Sequence, residues 1–273
     1  QDLDQNPANY QPLTPLSFLE RASDVFPDHI AIIHGNSKTT YREFYTRSKQ
    51  LASSLAQLGM TRGSTVSTLL LNTPPMLEAH YGIPMCGAVI HAINTRLDPA
   101  TIAFQLDHAN SEILFYDREL GGIVKEVLSH CQVKPHLIEF VDSEYEYKDA
   151  PVDLGADDYE VFLKKGNSNY QWLMPENEWD AISVGYTSGT TGDPKGVVSH
   201  HRGAYLLAQG NAMVASMPKH SVYLWTLPMF HCNGWCFPWT MSAIIGTHVC
   251  LRQVRAEPIW QSIKTHKISH LCG

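Results

Sequence analysis

The chain lacks any run of about 18 apolar residues, the length a helix needs to cross a bilayer. Its opening, QDLDQNPANYQPLTP, has neither the basic n-region nor the apolar h-region of a secretory signal. Cysteine is sparse: six residues, at 86, 131, 232, 236, 250 and 272, include no CxxC pair and fall short of a disulfide scaffold, which points to a reducing compartment. Positive charge is in deficit, with 20 Lys and Arg against 27 Asp and Glu and a net charge of −7. That balance argues against nucleic acid or an anionic membrane as the main partner and directs attention to small molecules. An anionic ligand must then be held by local donors, because the overall field repels it. Three common signatures are missing too: the GxxxxGK[ST] P-loop, the GxGxxG dinucleotide fingerprint and the GxSxG nucleophile elbow.

What remains is ample for a globular core, since 44% of the 273 residues are hydrophobic and 17% charged. Thr40 and Glu43 have capping-box spacing, and Phe44, Ser48, Leu51, Leu55 and Leu58 follow at helical intervals until Gly59. Pro15 suits a first helical turn, with Leu16, Leu19, Ala22 and Phe26 continuing one apolar face. The pattern then alternates: strand 65–71, helix 75–85, strand 88–93, a helix from Pro99 capped by Asp98, strand 112–116, helix 123–128 and strand 137–141. Strand 181–186 precedes a helix over 203–214, and 222–227, 248–252 and 268–271 read as further strands. Alternation of this kind implies an α/β fold with mainly parallel sheets flanked by helices. The stretch 143–178, weak in periodicity apart from a helical patch at 159–163, reads as the boundary between two sub-sheets. The apolar run at 268–273 breaks off as a strand would enter its turn, which suggests a fragment of a longer chain.

Residues 186–196 read YTSGTTGDPKG, a loop between a predicted strand and a predicted helix. Glycines allow close backbone approach and positive φ, the hydroxyls of Ser188, Thr190 and Thr191 offer donors, and Lys195 offers a point charge. Each feature suits a polyphosphate. About thirty residues on lies PMFHCNG at 228–234, in which a single His231 stands among apolar neighbours. The pairs His200-His201, and His231-Cys232 with Cys236, lack metal-site spacing, so no metal ligand is assigned.

The two segments together resemble the adenylate-forming superfamily, which includes acyl-CoA synthetases, luciferases and peptide-synthetase adenylation domains. The likeness extends through 30–59 and 97–115 and so spans nearly the whole chain. It implies that Thr187, Ser188, Gly189, Thr190, Thr191, Gly192 and Lys195 hold the phosphates of ATP, with Lys195 and His231 in the catalytic site and His231 positioning rather than transferring protons. The order Cys232-Asn233-Gly234-Trp235-Cys236-Phe237-Pro238-Trp239 resembles the plant acyl-activating group, which makes Asn233, Trp235 and Phe237 candidates for the acyl pocket of a short- or medium-chain or aromatic acid. Arg252 and Arg255 are candidates for the phosphates of coenzyme A. ATP, Mg2+ and coenzyme A are the implied cofactors, and the peroxisome or cytosol the implied location. The family's later motifs, a magnesium-binding Glu, a ribose-binding Asp, a hinge and a Lys on a small carboxy-terminal domain, are not found, so residues 1–273 read as a partial amino-terminal AMP-binding domain expected to be inactive alone. Two other readings stay open here: a non-catalytic nucleotide-binding or interaction module, and an adenylating enzyme with a different acceptor.

Overall fold

A computed structural model describes residues 4–187 and 194–273, the side chains of Cys232 and Asn233 excepted. In chain order the elements are α1 (Leu16–Val25), β1 (Ile30–His34), β2 (Ser37–Thr40), α2 (Tyr41–Gln57), β3 (Thr65–Leu69), α3 (Pro74–Met85), β4 (Val89–Ala92), α4 (Pro99–His108), β5 (Ser111–Asp117), α5 (Gly121–His130), β6 (His136–Phe140), β7 (Asp157–Asp158), α6 (Tyr159–Lys164), β8 (Ala181–Tyr186), β9 (Gly196–His200), α7 (His201–Val214), β10 (Val222–Leu224), α8 (Cys232–Trp235), α9 (Phe237–Ala243), β11 (Thr247–Val249), α10 (Ala256–His266) and β12 (His270–Leu271).

Several helices, α2 and α4 among them, begin where a side chain satisfies a free N–H group of the first turn. At α2 the Glu43 N–H donates to Thr40 Oγ1 at 3.3 Å, and the Thr40 N–H donates back to Glu43 Oε2 at 2.7 Å. These bonds from the Thr40 backbone and hydroxyl lower the Glu43 pKa. At α4 the Thr101 N–H donates to Asp98 Oδ1 at 3.0 Å, while Pro99 occupies the first turn, where its missing N–H costs nothing.

The strands form two sheets. Seven run in the order β7-β6-β5-β3-β4-β8-β9, all parallel except the last pair, and five run β12-β10-β11-β1-β2, parallel except β1 with β2. Parallel pairing needs crossover connections, and the helices supply them. Two expectations are corrected by this topology. The stretch 143–178 is no boundary between sheets: it connects β6, β7 and β8, all members of the seven-stranded sheet. The second sheet is assembled from both ends of the chain, with His248 of β11 opposite Ile32 of β1. The glycine-rich segment also does not lead straight into a helix. It joins β8 to the antiparallel β9, with Tyr186 opposite Gly196, and α7 follows only then.

Helix α3 packs against α2, β3 and β4, and also against α1 and α9. It is buried along almost its whole length, Glu78 and His80 included. Arg47 neutralises Glu78 at 2.6 Å, and the Tyr159 hydroxyl donates to the same carboxylate at 2.5 Å. No described helix is long and apolar enough to cross a membrane.

Candidate active site

Parallel sheets present their ligand-binding loops at the carboxyl ends of the strands. Here those ends carry Asn72 after β3, Asp117 closing β5, Asp142 after β6 and Thr187 after β8; from the second sheet come the segment after β10 and Arg252 after β11. The two sheets meet across these ends, and the candidate site lies there.

The neck of the glycine-rich loop is closed by the Thr187 N–H donating to the Lys195 carbonyl at 3.1 Å and the Lys195 N–H donating to Thr187 Oγ1 at 3.4 Å. Lys195 is exposed, and its ammonium makes no ion pair with a described residue. Ser188, Gly189, Thr190, Thr191 and Gly192 lie outside the described residues.

The 228–234 segment is positioned from below. Trp225 is fully buried, its indole N–H donates to His248 Nδ1 at 3.1 Å, and its ring stacks on that of His248. Gly234, at φ +59°, stands over this indole; a Cβ there would come within 3.1 Å of the ring, so the close approach requires glycine. Helix α8 lies against β8, which brings Trp235, with His231 just before the helix, to the strand that leads into the glycine-rich segment. His231 is exposed and meets the edge of Trp235, with 6.0 Å between ring centroids, and Trp235 is 47% exposed.

The acyl-wall candidates therefore part company. Trp235 and Cys236 take left-handed conformations, at φ 54° and 63°, and these split what reads as one apolar run into α8 and α9. The backbone of Asn233 belongs to α8 beside Trp235. Phe237 instead begins α9, is buried, and stacks on Tyr223 at 4.7 Å with 12° between the rings. It supports the site from the core and does not share the exposed surface of His231 and Trp235.

Arg252 is also corrected. Its guanidinium is buried and donates to Asp117 at 2.7 Å through both terminal nitrogens, to Asp142 at 3.1 Å and to Glu119 at 2.9 Å, beneath the ring of Tyr145. His34 Nε2 lies 2.9 Å from Asp142 Oδ2. Burial raises the Asp117 pKa despite Arg252; at Asp142 burial pushes the same way, but His34 and Arg252 outweigh it and the pKa is lowered. Both terminal nitrogens are engaged and the remaining Nε–H is buried without a partner, so the guanidinium turns no donor toward solvent. It ties β11 to β5 and β6, and only Arg255, at the start of α10, remains exposed.

Residues 19–273 match the family model described as AMP-binding enzyme. The chain belongs to the AMP-binding enzyme family. Its relatives in that family include the peroxisomal acetate/butyrate–CoA ligase AAE7 of Arabidopsis thaliana, 46% identical across the whole chain and 49% of the relative, and the acetate–CoA ligase CCL3 of Humulus lupulus, 43% identical across the whole chain and 50% of the relative. The chain thus spans about half the length of the curated relatives it matches. Among solved structures, that of the anthranilate CoA ligase AuaEII in complex with anthranoyl-AMP superposes on 98% of the chain and 51% of its own length, with a TM-score of 0.85 at 20% identity, which is a likeness of fold. Thr187 after β8 and the segment after β10 both lie at the carboxyl ends of their strands. Asn72, which the sequence reading missed, falls there as well; its only local signal is an amide between a strand end and the Thr-Pro-Pro that starts α3.

Proposed function

We propose that the full-length protein is an ATP-dependent carboxylate–CoA ligase that makes an acyl-AMP and then a thioester, acting on a short- or medium-chain or aromatic acid in the peroxisome or cytosol. The observation that carries this reading is Lys195, an exposed cation without an ion pair to a described residue, at the neck of a hydroxyl- and glycine-rich segment whose supporting strand is touched by the helix that bears Trp235 and directly follows His231. Phosphate chemistry and an apolar acceptor surface are thereby adjacent. The names of the plant relatives, ligases of acetate and butyrate, agree in chemistry.

In the first half-reaction a carboxylate oxygen attacks the α-phosphorus of ATP, a C–O–P linkage forms, and pyrophosphate leaves. Negative charge grows on the departing phosphates, and Lys195 with the Thr187 hydroxyl is placed to oppose it. Magnesium, implied by the resemblance, finds no group of three His, Cys, Asp or Glu suited to a metal among the described residues, so no step is drawn through it. In the second half-reaction the thiol of coenzyme A attacks the acyl carbonyl and AMP leaves. Trp235 and Asn233 border the acid, His231 orients it, and Phe237 backs them from the core. The chain described here supplies the phosphate loop and part of this wall, and thioester formation is assigned to the longer protein.

In the full-length protein Lys195→Ala should slow acid-dependent ATP–pyrophosphate exchange by roughly 10- to 150-fold, the loss of about 1.5–3 kcal/mol from one charge-assisted contact. An unchanged rate removes the loop from the mechanism.

A further inference from the structure

We infer that Asn72 is a positioning residue for the acid side of this site, acting through the chain segment that leads into α8. The inference rests on the function proposed above, because that reading assigns the surface of His231 and Trp235 to the acid.

Asn72 belongs to the seven-stranded sheet, at the turn between β3 and α3, and is 6% exposed. Its amide reaches across to the other sheet. Nδ2 donates to the Trp225 carbonyl at 3.0 Å and to the Leu227 carbonyl at 2.9 Å, and the Met229 N–H donates to Oδ1 at 2.8 Å. Strand β10 ends at Leu224, so these backbone groups have left the sheet ladder, and one side chain satisfies three of them. Both N–H groups of the amide and its oxygen are used, which leaves no rotation of the side chain that keeps the set.

The consequence passes to α8 by contact. The Trp225 indole lies under Gly234, where a Cβ would already be too close, so a shift of the 225–229 backbone moves the floor on which α8 rests. His231 follows Met229 by two residues, and its N–H donates to the Pro228 carbonyl at 3.2 Å. Asn72 hydrogen-bonds to no described residue of 187–200. Its loss should therefore disturb the acid and leave ATP largely untouched.

The test uses Asn72→Ala, Asn72→Ser and Asn72→Asp in the full-length protein. Ser keeps one donor, whereas an Asp carboxylate turned toward two carbonyls keeps none, so the expected order of damage is Ser below Ala and Asp. Hydrogen exchange read by mass spectrometry should quicken across 225–235 and not across 196–200. Acid-dependent pyrophosphate exchange should show the acid KM raised roughly tenfold in Asn72→Ala with the ATP KM within about twofold of wild type. Unchanged hydrogen exchange at 225–235, or an acid KM and an ATP KM that move together, overturns the role of Asn72 while leaving the proposed function standing. Wild-type protein that shows no acid-dependent exchange overturns the function itself, and the role of Asn72 with it. Ser and Asp give the reading should Ala fail to fold.

Discussion

Arg252→Leu should destabilise the protein by about 3–5 kcal/mol, because the substitution strands Asp117 and Asp142 in the interior without their cation. Both carboxylates are essentially inaccessible, at 0% and 2% exposure, so water cannot replace the guanidinium. Against a conversion of about 2–4 °C per kcal/mol for a chain near this size, the melting temperature should fall by on the order of 10 °C. Arg255→Leu is the control, since that exposed residue should change stability by no more than about 0.5 kcal/mol. Converting Asp117 and Asp142 to Asn in the Arg252→Leu background should restore much of the loss, as removing all partners of a buried charge cluster is far milder than removing one. If Arg252→Leu melts within about 2 °C of wild type, the cluster does not join the two sheets energetically.

Acid should unfold the protein through histidines that fold in their neutral form. Burial lowers the pKa of His80, His91 and His201 to about 4 and that of His248 to about 3. The hydrogen bonds agree for His80 and for His248, whose pKa His80 lowers further. His80 Nδ1 lies 2.7 Å from the Met76 carbonyl and must donate to it, and His248 Nδ1 accepts from the Trp225 indole, so neither ring has a buried acceptor waiting for a second proton. A depressed folded pKa contributes stability that is fully present above the unfolded value of about 6.5 and is lost as pH falls toward the folded value. The unfolded chain then binds up to four protons that the folded chain refuses. The loss should be on the order of 4 kcal/mol between pH 6 and pH 5, at about 1.4 kcal/mol per proton and pH unit. Urea unfolding at pH 7, 6 and 5 measures it, and His248→Gln should remove roughly a quarter of the slope. Stability that stays level from pH 7 to pH 5 contradicts the neutral burial of these rings.

Local chemistry made part of this fold legible. Thr40 with Glu43, and Asp98 with Pro99, carry their own start signals, and α2 and α4 stand where those residues place them. Strand partners carry no such signal. Ile32 pairs with a residue more than two hundred positions away, and nothing around Ile32 or His248 announces the other, so the origin of the second sheet in both ends of the chain escaped a reading along the sequence. The short β9 escaped for another reason: Val197 and Val198 are both exposed, and a strand without an inside and an outside shows no alternation. The segment 186–196 stands out in the sequence by glycines, hydroxyls and a lysine, residue types that together suit one class of ligand. Arg252 misled because an arginine after a strand looks the same whether it faces solvent or the carboxylates 110 and 135 positions before it. The split between Trp235 and Phe237 turns on two left-handed residues, neither of them glycine, and no composition predicts that.

The order of products tests the central claim most directly. Full-length protein incubated with ATP, magnesium and butyrate, with coenzyme A withheld, should release pyrophosphate and accumulate enzyme-bound butyryl-AMP, and adding coenzyme A should then yield butyryl-CoA and AMP in equal amounts. Release of ADP and inorganic phosphate, or thioester formed without any acyl-AMP across acetate, butyrate, benzoate and cinnamate, would contradict it.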